Sequence, residues 1–158
     1  MKIFIVIPAY NEEKKIGGVL KDLKRHGYNT IAVVDDGSKD NTFKISRKEN
    51  VHVIKHVMNM GYGAASITGM EYAFRNGADV AVAFDADGQH DVNDIKKVIR
   101  PIAEKKSELV IGIRVLNRDE MPFIRRIGNF GLTFLTYLLF GVWTHDSQSG
   151  FRAVSKNA

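Results

Sequence analysis

Val80-Ala81-Val82-Ala83-Phe84-Asp85-Ala86-Asp87-Gly88-Gln89-His90 is an apolar run that reads as a strand and ends in two carboxylates one residue apart. In a parallel α/β sheet, ligands bind beyond the carboxyl ends of the strands. The same pattern occurs twice upstream. Ile3-Phe4-Ile5-Val6-Ile7 is a buried-strand run stopped by Pro8 and followed by Glu12-Glu13. Thr30 to Val34 is a β-branched run ending at Asp35-Asp36. Three acidic clusters at strand ends are expected to meet in one crevice, where they would hold a metal or a sugar.

Helical spacing fills the intervals. Ile16, Val19, Leu20 and Leu23 repeat at i, i+3, i+4, i+7, with Glu12 and Glu13 expected in the first turn and Gly27 after the end. Ala64, Ile67, Met70 and Phe74 share roughly one face of a helix over Gly63 to Arg75, and Ile95, Val98, Ile99 and Ile102 mark another. Val51 to Val57 and Leu109 to Ile113 complete five strands. This alternation predicts an α/β fold with a Rossmann-like, mainly parallel sheet flanked by helices. The length suits a single domain over 1–158, and the stop soon after a strand-like Phe151 to Val154 suggests a missing C-terminal segment. Beyond about residue 120 the rhythm breaks. Phe130 to Trp143 is apolar but shorter than the roughly 20 residues a bilayer span requires. It reads as a core helix, with an interfacial membrane helix as the alternative.

A composition of 44% hydrophobic and 26% charged residues is that of an ordinary globular protein, and the absence of cysteine excludes disulfides and thiolate metal sites. No leader pattern is visible, so a cytoplasmic location is expected. The net charge of +5 is modest. Arg114, Arg118, Arg125 and Arg126 precede the most apolar stretch, which suits a phosphate group or an anionic membrane surface, peripheral on its cytosolic face. No basic stripe is interleaved with aromatics, so nucleic acid is not expected.

Two carboxylates at Asp85 and Asp87 suit magnesium or manganese, hard cations that keep open positions for diphosphate oxygens. An acidic turn closed by Gly88 would look the same. A phosphatase of the haloacid-dehalogenase type also ends a strand in Asp-x-Asp-Gly, with the first Asp as nucleophile, but the downstream acidic pair it requires is missing. Asn59-x-Gly61-x-Gly63 reads as a tight turn before a helix whose exposed amides could help hold a phosphate. His90 reads as a surface residue or as one that touches a ligating carboxylate from behind.

Taken together, Pro8-Ala9-Tyr10-Asn11-Glu12, Asp35-Asp36-Gly37-Ser38-x-Asp40-x-Thr42, Asn59-x-Gly61-x-Gly63-Ala64-Ala65, Asp85-Ala86-Asp87-Gly88-Gln89-His90 and Asp146-Ser147-Gln148-Ser149-Gly150-Phe151-Arg152 resemble the family 2 nucleotide-sugar glycosyltransferases of GT-A fold. Gln89-His90 and the Ser149 to Arg152 element look most like the dolichyl- or polyprenyl-phosphate mannose and glucose synthases. The resemblance implies an inverting transfer from a GDP- or UDP-linked sugar to a polyprenyl phosphate, with Mg2+ or Mn2+ as cofactor. It implies Pro8, Tyr10, Glu12, Asp36 and Asp85 around the nucleotide, and Asp85, Asp87 and Gln89 around the metal. Arg114 and Arg126 would face phosphates, with Asp87 and Asp146 also catalytic and Ser149 and Arg152 on the acceptor side. A nucleotide-binding but inactive module of a membrane glycosylation assembly is the alternative. Tyr62 stands where the family often has lysine, Val92 where it often has proline, and Ile113 where it often has serine. The Gln-x-x-Arg-Trp element of processive synthases is absent.

Overall fold

A computed structural model describes residues 1–88, 90–112 and 150–158. The compact unit they form runs over Met1–Ile111 and Gly150–Ala158, while residues 113–149 lie outside the description. Its elements follow the expected alternation: β1 (Ile3–Ala9), α1 (Ile16–Arg25), β2 (Ile31–Asp35), α2 (Thr42–Lys48), β3 (His52–Lys55), α3 (Tyr62–Arg75), β4 (Val80–Ala83), α4 (Ile95–Ala103), β5 (Leu109–Ile111) and β6 (Arg152–Ser155). They build a sheet of order β3-β2-β1-β4-β6-β5. The first four neighbours pair in parallel, whereas β6 runs antiparallel to both β4 and β5. The sheet is thus mainly parallel, as expected.

Both faces of the central strands are covered, which explains their unbroken apolar sequence. Ile5 and Ile7 of β1 face Ile16, Leu20 and Leu23 of α1 and Ile95 and Ile99 of α4. Removing each such aliphatic side chain from water is worth about 1.5–3 kcal/mol. Phe4 and Val6 point the other way, toward Ala73 of α3.

Four details depart from the expectations. The strand β1 continues through Pro8, which pairs in register with Val34. Amide directions alternate along a strand, and Ile5 donates to Thr30 on the β2 side, so the Pro8 nitrogen faces the β4 side. The β4 register ends at Val6 and Ala83, where the next bond would need the amide that Pro8 lacks, while pairing on the β2 side runs on to Ala9. Glu12 and Glu13 precede α1 rather than forming its first turn. The short helix α2 has little apolar periodicity and gave no sequence signal; Thr42 and Ser46 are its buried residues. Finally, α3 buries Ala65, Ser66, Gly69 and Ala73, while Ile67 is exposed. The helix lies so close to the sheet that a Cβ at Gly69 would fall well inside 3.0 Å of Val6 and 3.1 Å from Val34 Cγ2. Only small residues fit that stripe, and the larger apolar ones flank it.

Candidate active site

The adjacent strands β2, β1 and β4 bring their carboxyl ends to one edge, carrying Asp36, then Pro8, Tyr10 and Glu12, then Asp85 and Asp87. The acidic clusters expected to share a crevice therefore do share a sheet edge. Pro8 is buried and Tyr10 exposed. The Asp36 amide donates to Ala9 O at 2.8 Å, joining the ends of β1 and β2.

The loop after β1 is fastened to the loop after β2. Glu12 N donates to Thr42 Oγ1 at 2.8 Å and Glu13 N to Asp40 Oδ2 at 3.0 Å. Glu13 Oε2 in return accepts from both the amide and the side chain of Asn41, each at 3.0 Å. The first acidic pair therefore supports the edge of the site, with Glu13 committed to this brace. Burial opposes ionisation of Asp40, but the Thr42 hydroxyl and the amides of Thr42 and Glu13 outweigh it and hold its carboxyl below the ordinary range.

Asp36 is buried, 3% exposed. Its Oδ1 accepts from the Met60 amide at 2.9 Å and lies 2.7 Å from His56 Nδ1, and its Oδ2 accepts from the Gly61 amide at 2.8 Å. Burial again opposes ionisation, yet these donors prevail and keep the carboxyl low. The amides of Met60 and Gly61 thus serve a protein carboxylate, and a phosphate at the start of α3 would have to use those of its first turn, Tyr62 to Ala64. His56 was not legible as a partner, since twenty residues and a strand separate it from Asp36. Gly37 completes the contact: its φ is +71°, and a Cβ there would come within 2.6–2.9 Å of the Met58 and Asn59 backbone. Neighbouring Asp35 is fully buried, with Oδ1 accepting from the Ser38 amide at 3.1 Å and Oδ2 without a hydrogen-bond partner among the described residues.

Asp85 is held from two sides. The Tyr62 hydroxyl donates to Oδ1 at 3.0 Å, and His90 Nε2 lies 2.8 Å from Oδ2. The His90 ring is stacked on Phe151 with centroids 4.9 Å apart, and its side chain is only 8% exposed, so it is not a surface residue. Desolvation, then the negative charge of Asp85, push the Tyr62 phenol above its ordinary range, so it stays a donor. Tyr62 is 41% exposed as a whole, while its hydroxyl end lies against Gly150. Arg152, expected on the acceptor side, begins β6 beside Ala83 of β4 and is half-buried. Gln89, Arg114, Arg126, Asp146 and Ser149 lie outside the described residues, as does the apolar stretch 130–143.

Among the described residues no group of three or more His, Asp and Glu side chains is gathered that could hold a metal alone. Asp85 and Asp87 nonetheless fit a hard divalent ion in their donor chemistry, because Mg2+ and its relatives take one or two carboxylates and complete the shell from substrate phosphates and water.

A mainly parallel sheet with an Asp-x-Asp turn at the end of a central strand, its first carboxylate held by Tyr62 and His90, defines the class. The chain belongs to glycosyl transferase family 2, which matches residues 4–158. It is 49% identical to the UDP-N-acetylglucosamine–dolichyl-phosphate N-acetylglucosaminyltransferase of Methanococcus voltae, over 99% of this chain and 70% of the relative. To the polyprenol monophosphomannose synthase of Mycolicibacterium smegmatis it is 28% identical, over 96% of this chain and 61% of the relative. Its fold resembles glucosyl-3-phosphoglycerate synthase from Mycobacterium tuberculosis, solved with Mn2+, UDP-glucose and phosphoglyceric acid. The TM-score is 0.74 at 20% identity, over 99% of this chain and 57% of that one. The expected GT-A fold is borne out. The chain spans between 57% and 70% of the length of these proteins. Family membership also sets the phosphatase reading aside.

Proposed function

We propose that this chain is a catalytic domain over 1–158 that transfers a sugar from a UDP- or GDP-linked donor to a polyprenyl phosphate, inverting the anomeric carbon. The observation that carries the reading is the Asp85-x-Asp87 turn set beside Asp36 and the β1 loop on one sheet edge. The Methanococcus voltae and Mycolicibacterium smegmatis relatives, a dolichyl-phosphate N-acetylglucosaminyltransferase and a polyprenol monophosphomannose synthase by name, support the acceptor class.

Pro8, Tyr10, Glu12 and Asp36 would surround the nucleoside, and Asp85, Asp87 and Gln89 would hold Mg2+ or Mn2+ against the diphosphate. When bound, the ion offsets the negative charge that develops on the departing diphosphate. A phosphate oxygen of the acceptor attacks the anomeric carbon as the bond to the diphosphate oxygen breaks, and the nucleoside diphosphate leaves with the electron pair. An acceptor phosphate is already ionised near neutral pH, so its positioning by Arg114, Arg126 and Arg152, with Ser149, matters more than a base. A hydroxyl acceptor would need a base, and Asp146 fills that role. No helix among the described residues is long and apolar enough to cross a membrane. In this reading it is the polyprenyl-phosphate acceptor that brings the domain to the cytosolic membrane face, with Arg114, Arg118, Arg125 and Arg126 suited to an anionic surface.

The test is sugar transfer from UDP-N-acetylglucosamine and from GDP-mannose to a short-chain polyprenyl phosphate, with manganese and with chelator. Manganese-dependent transfer that Asp87→Asn abolishes, with the variant still folded, is the expected result. An active Asp87→Asn protein would remove the metal assignment, and nucleotide binding without any transfer would favour the inactive-module reading.

A further inference from the structure

The contact between Tyr62, Asp85 and Gly150 is not accounted for by the proposed roles of any of the three. Tyr62 opens α3 directly after Gly61, whose φ of +89° turns the chain into the helix. From there its hydroxyl reaches across to Asp85 Oδ1 at 3.0 Å. It can do so because residue 150 has no side chain: a Cβ there would lie 2.5 Å from Asp85 Oδ1 and closer still to the Tyr62 hydroxyl. Gly150 is buried, and its φ lies outside the left-handed range, so space and not backbone conformation demands glycine. His90, backed by Phe151, closes the other side of the same carboxylate at 2.8 Å.

We propose that Tyr62 and Gly150 work as one positioning unit, the phenol and the bare α-carbon together fixing the Asp85 carboxylate for the nucleotide diphosphate and its cation. The inference rests on the glycosyltransferase reading and adds positioning residues to that site. Partners that orient a ligating carboxylate act through it, and losing one typically weakens metal affinity or activity roughly 10- to 100-fold.

The experiment titrates UDP with manganese, and GDP with manganese in parallel, into the wild type, Tyr62→Phe, Gly150→Ala and the double variant. Calorimetry reads the binding, and the ligand-free unfolding midpoint is recorded for each protein. Tyr62→Phe is expected to weaken manganese-dependent nucleotide binding roughly 10- to 100-fold while the ligand-free midpoint stays near that of the wild type. Gly150→Ala is expected to lose at least as much, because its methyl group displaces the hydroxyl and also presses on Asp85 Oδ1, and adding Tyr62→Phe to it to cost little more, since the contact is already broken. A merely structural contact would instead lower the ligand-free midpoint and leave the affinity alone. Tyr62→Phe binding as the wild type does, or losses that multiply in the double variant, would overturn the unit while leaving the transferase reading standing. A folded wild type that takes neither nucleotide would remove both. Should Gly150→Ala not fold, the Tyr62→Phe affinity decides alone.

Discussion

Three donors reach the carboxylate of Asp36, and two of them are backbone amides from the turn that starts α3. Replacing it by asparagine puts an N–H where an acceptor is needed, and a buried donor left unsatisfied costs about 1–3 kcal/mol. Asp36→Asn should therefore lower unfolding stability by about that amount in urea titration; an unchanged midpoint would show that the turn holds itself. The same contacts set a pH dependence. The folded-state pKa of Asp36 is depressed, as is that of Asp40, so their stabilisation is complete above the ordinary carboxylate range. It drains away as pH falls through the lower folded-state values. Acid titration followed by denaturation should show this loss in the wild type and a smaller slope in Asp36→Asn. At this scale the sequence displayed the acids but not their partners. Asp85-x-Asp87 was readable because both residues sit at one strand end, whereas His56, Tyr62 and Gly150 enter only through the fold.

Small residues on α3 set the distance between helix and sheet. Gly69→Ala would force a methyl group against Val6 and Val34, and overpacking of this kind costs about 1–3 kcal/mol. The backbone at 69 is ordinary helix, so an intrinsic helix-propensity gain of up to about 1 kcal/mol opposes the clash. A net loss of stability is expected, and a stabilised Gly69→Ala would mean that the helix can lift off the sheet. Gly37→Ala differs in kind, because the obstructing atoms are the Met58 and Asn59 backbone and φ is +71°. It should displace the 58–61 turn and weaken nucleotide binding together with stability. Elements with one wide apolar face, α1 and α4, were legible by their spacing. The facing of α3 was not, because a stripe of Ala and Gly carries no hydrophobic signal and the eye follows Ile67 instead. Pro8 misled for a related reason: whether a missing amide matters depends on which neighbour the strand has at that point, and sequence does not show neighbours.

For the molecule as a whole, nucleotide with manganese should stabilise the fold. A ligand at about 100 times its dissociation constant adds roughly 2.7 kcal/mol. A UDP–manganese shift that vanishes without the metal and in Asp87→Asn would identify both the donor class and the role of Asp87; equal shifts with and without metal would leave Asp87 without that role. The position of β6 has a different consequence. Residues 152–155 lie between β4 and β5 in the sheet, although β5 precedes them by some forty positions in the chain. On a ribosome, β4 and β5 are made well before the strand that joins them, and each must wait with an open edge. The same late segment carries Gly150 and Phe151 to the Asp85 carboxylate, so sheet closure and assembly of the catalytic edge become a single event near the end of synthesis of this segment. A nascent chain arrested before residue 150 has emerged should be cut readily by protease and hold no nucleotide, and one arrested after 158 has cleared the exit tunnel should gain both protections together.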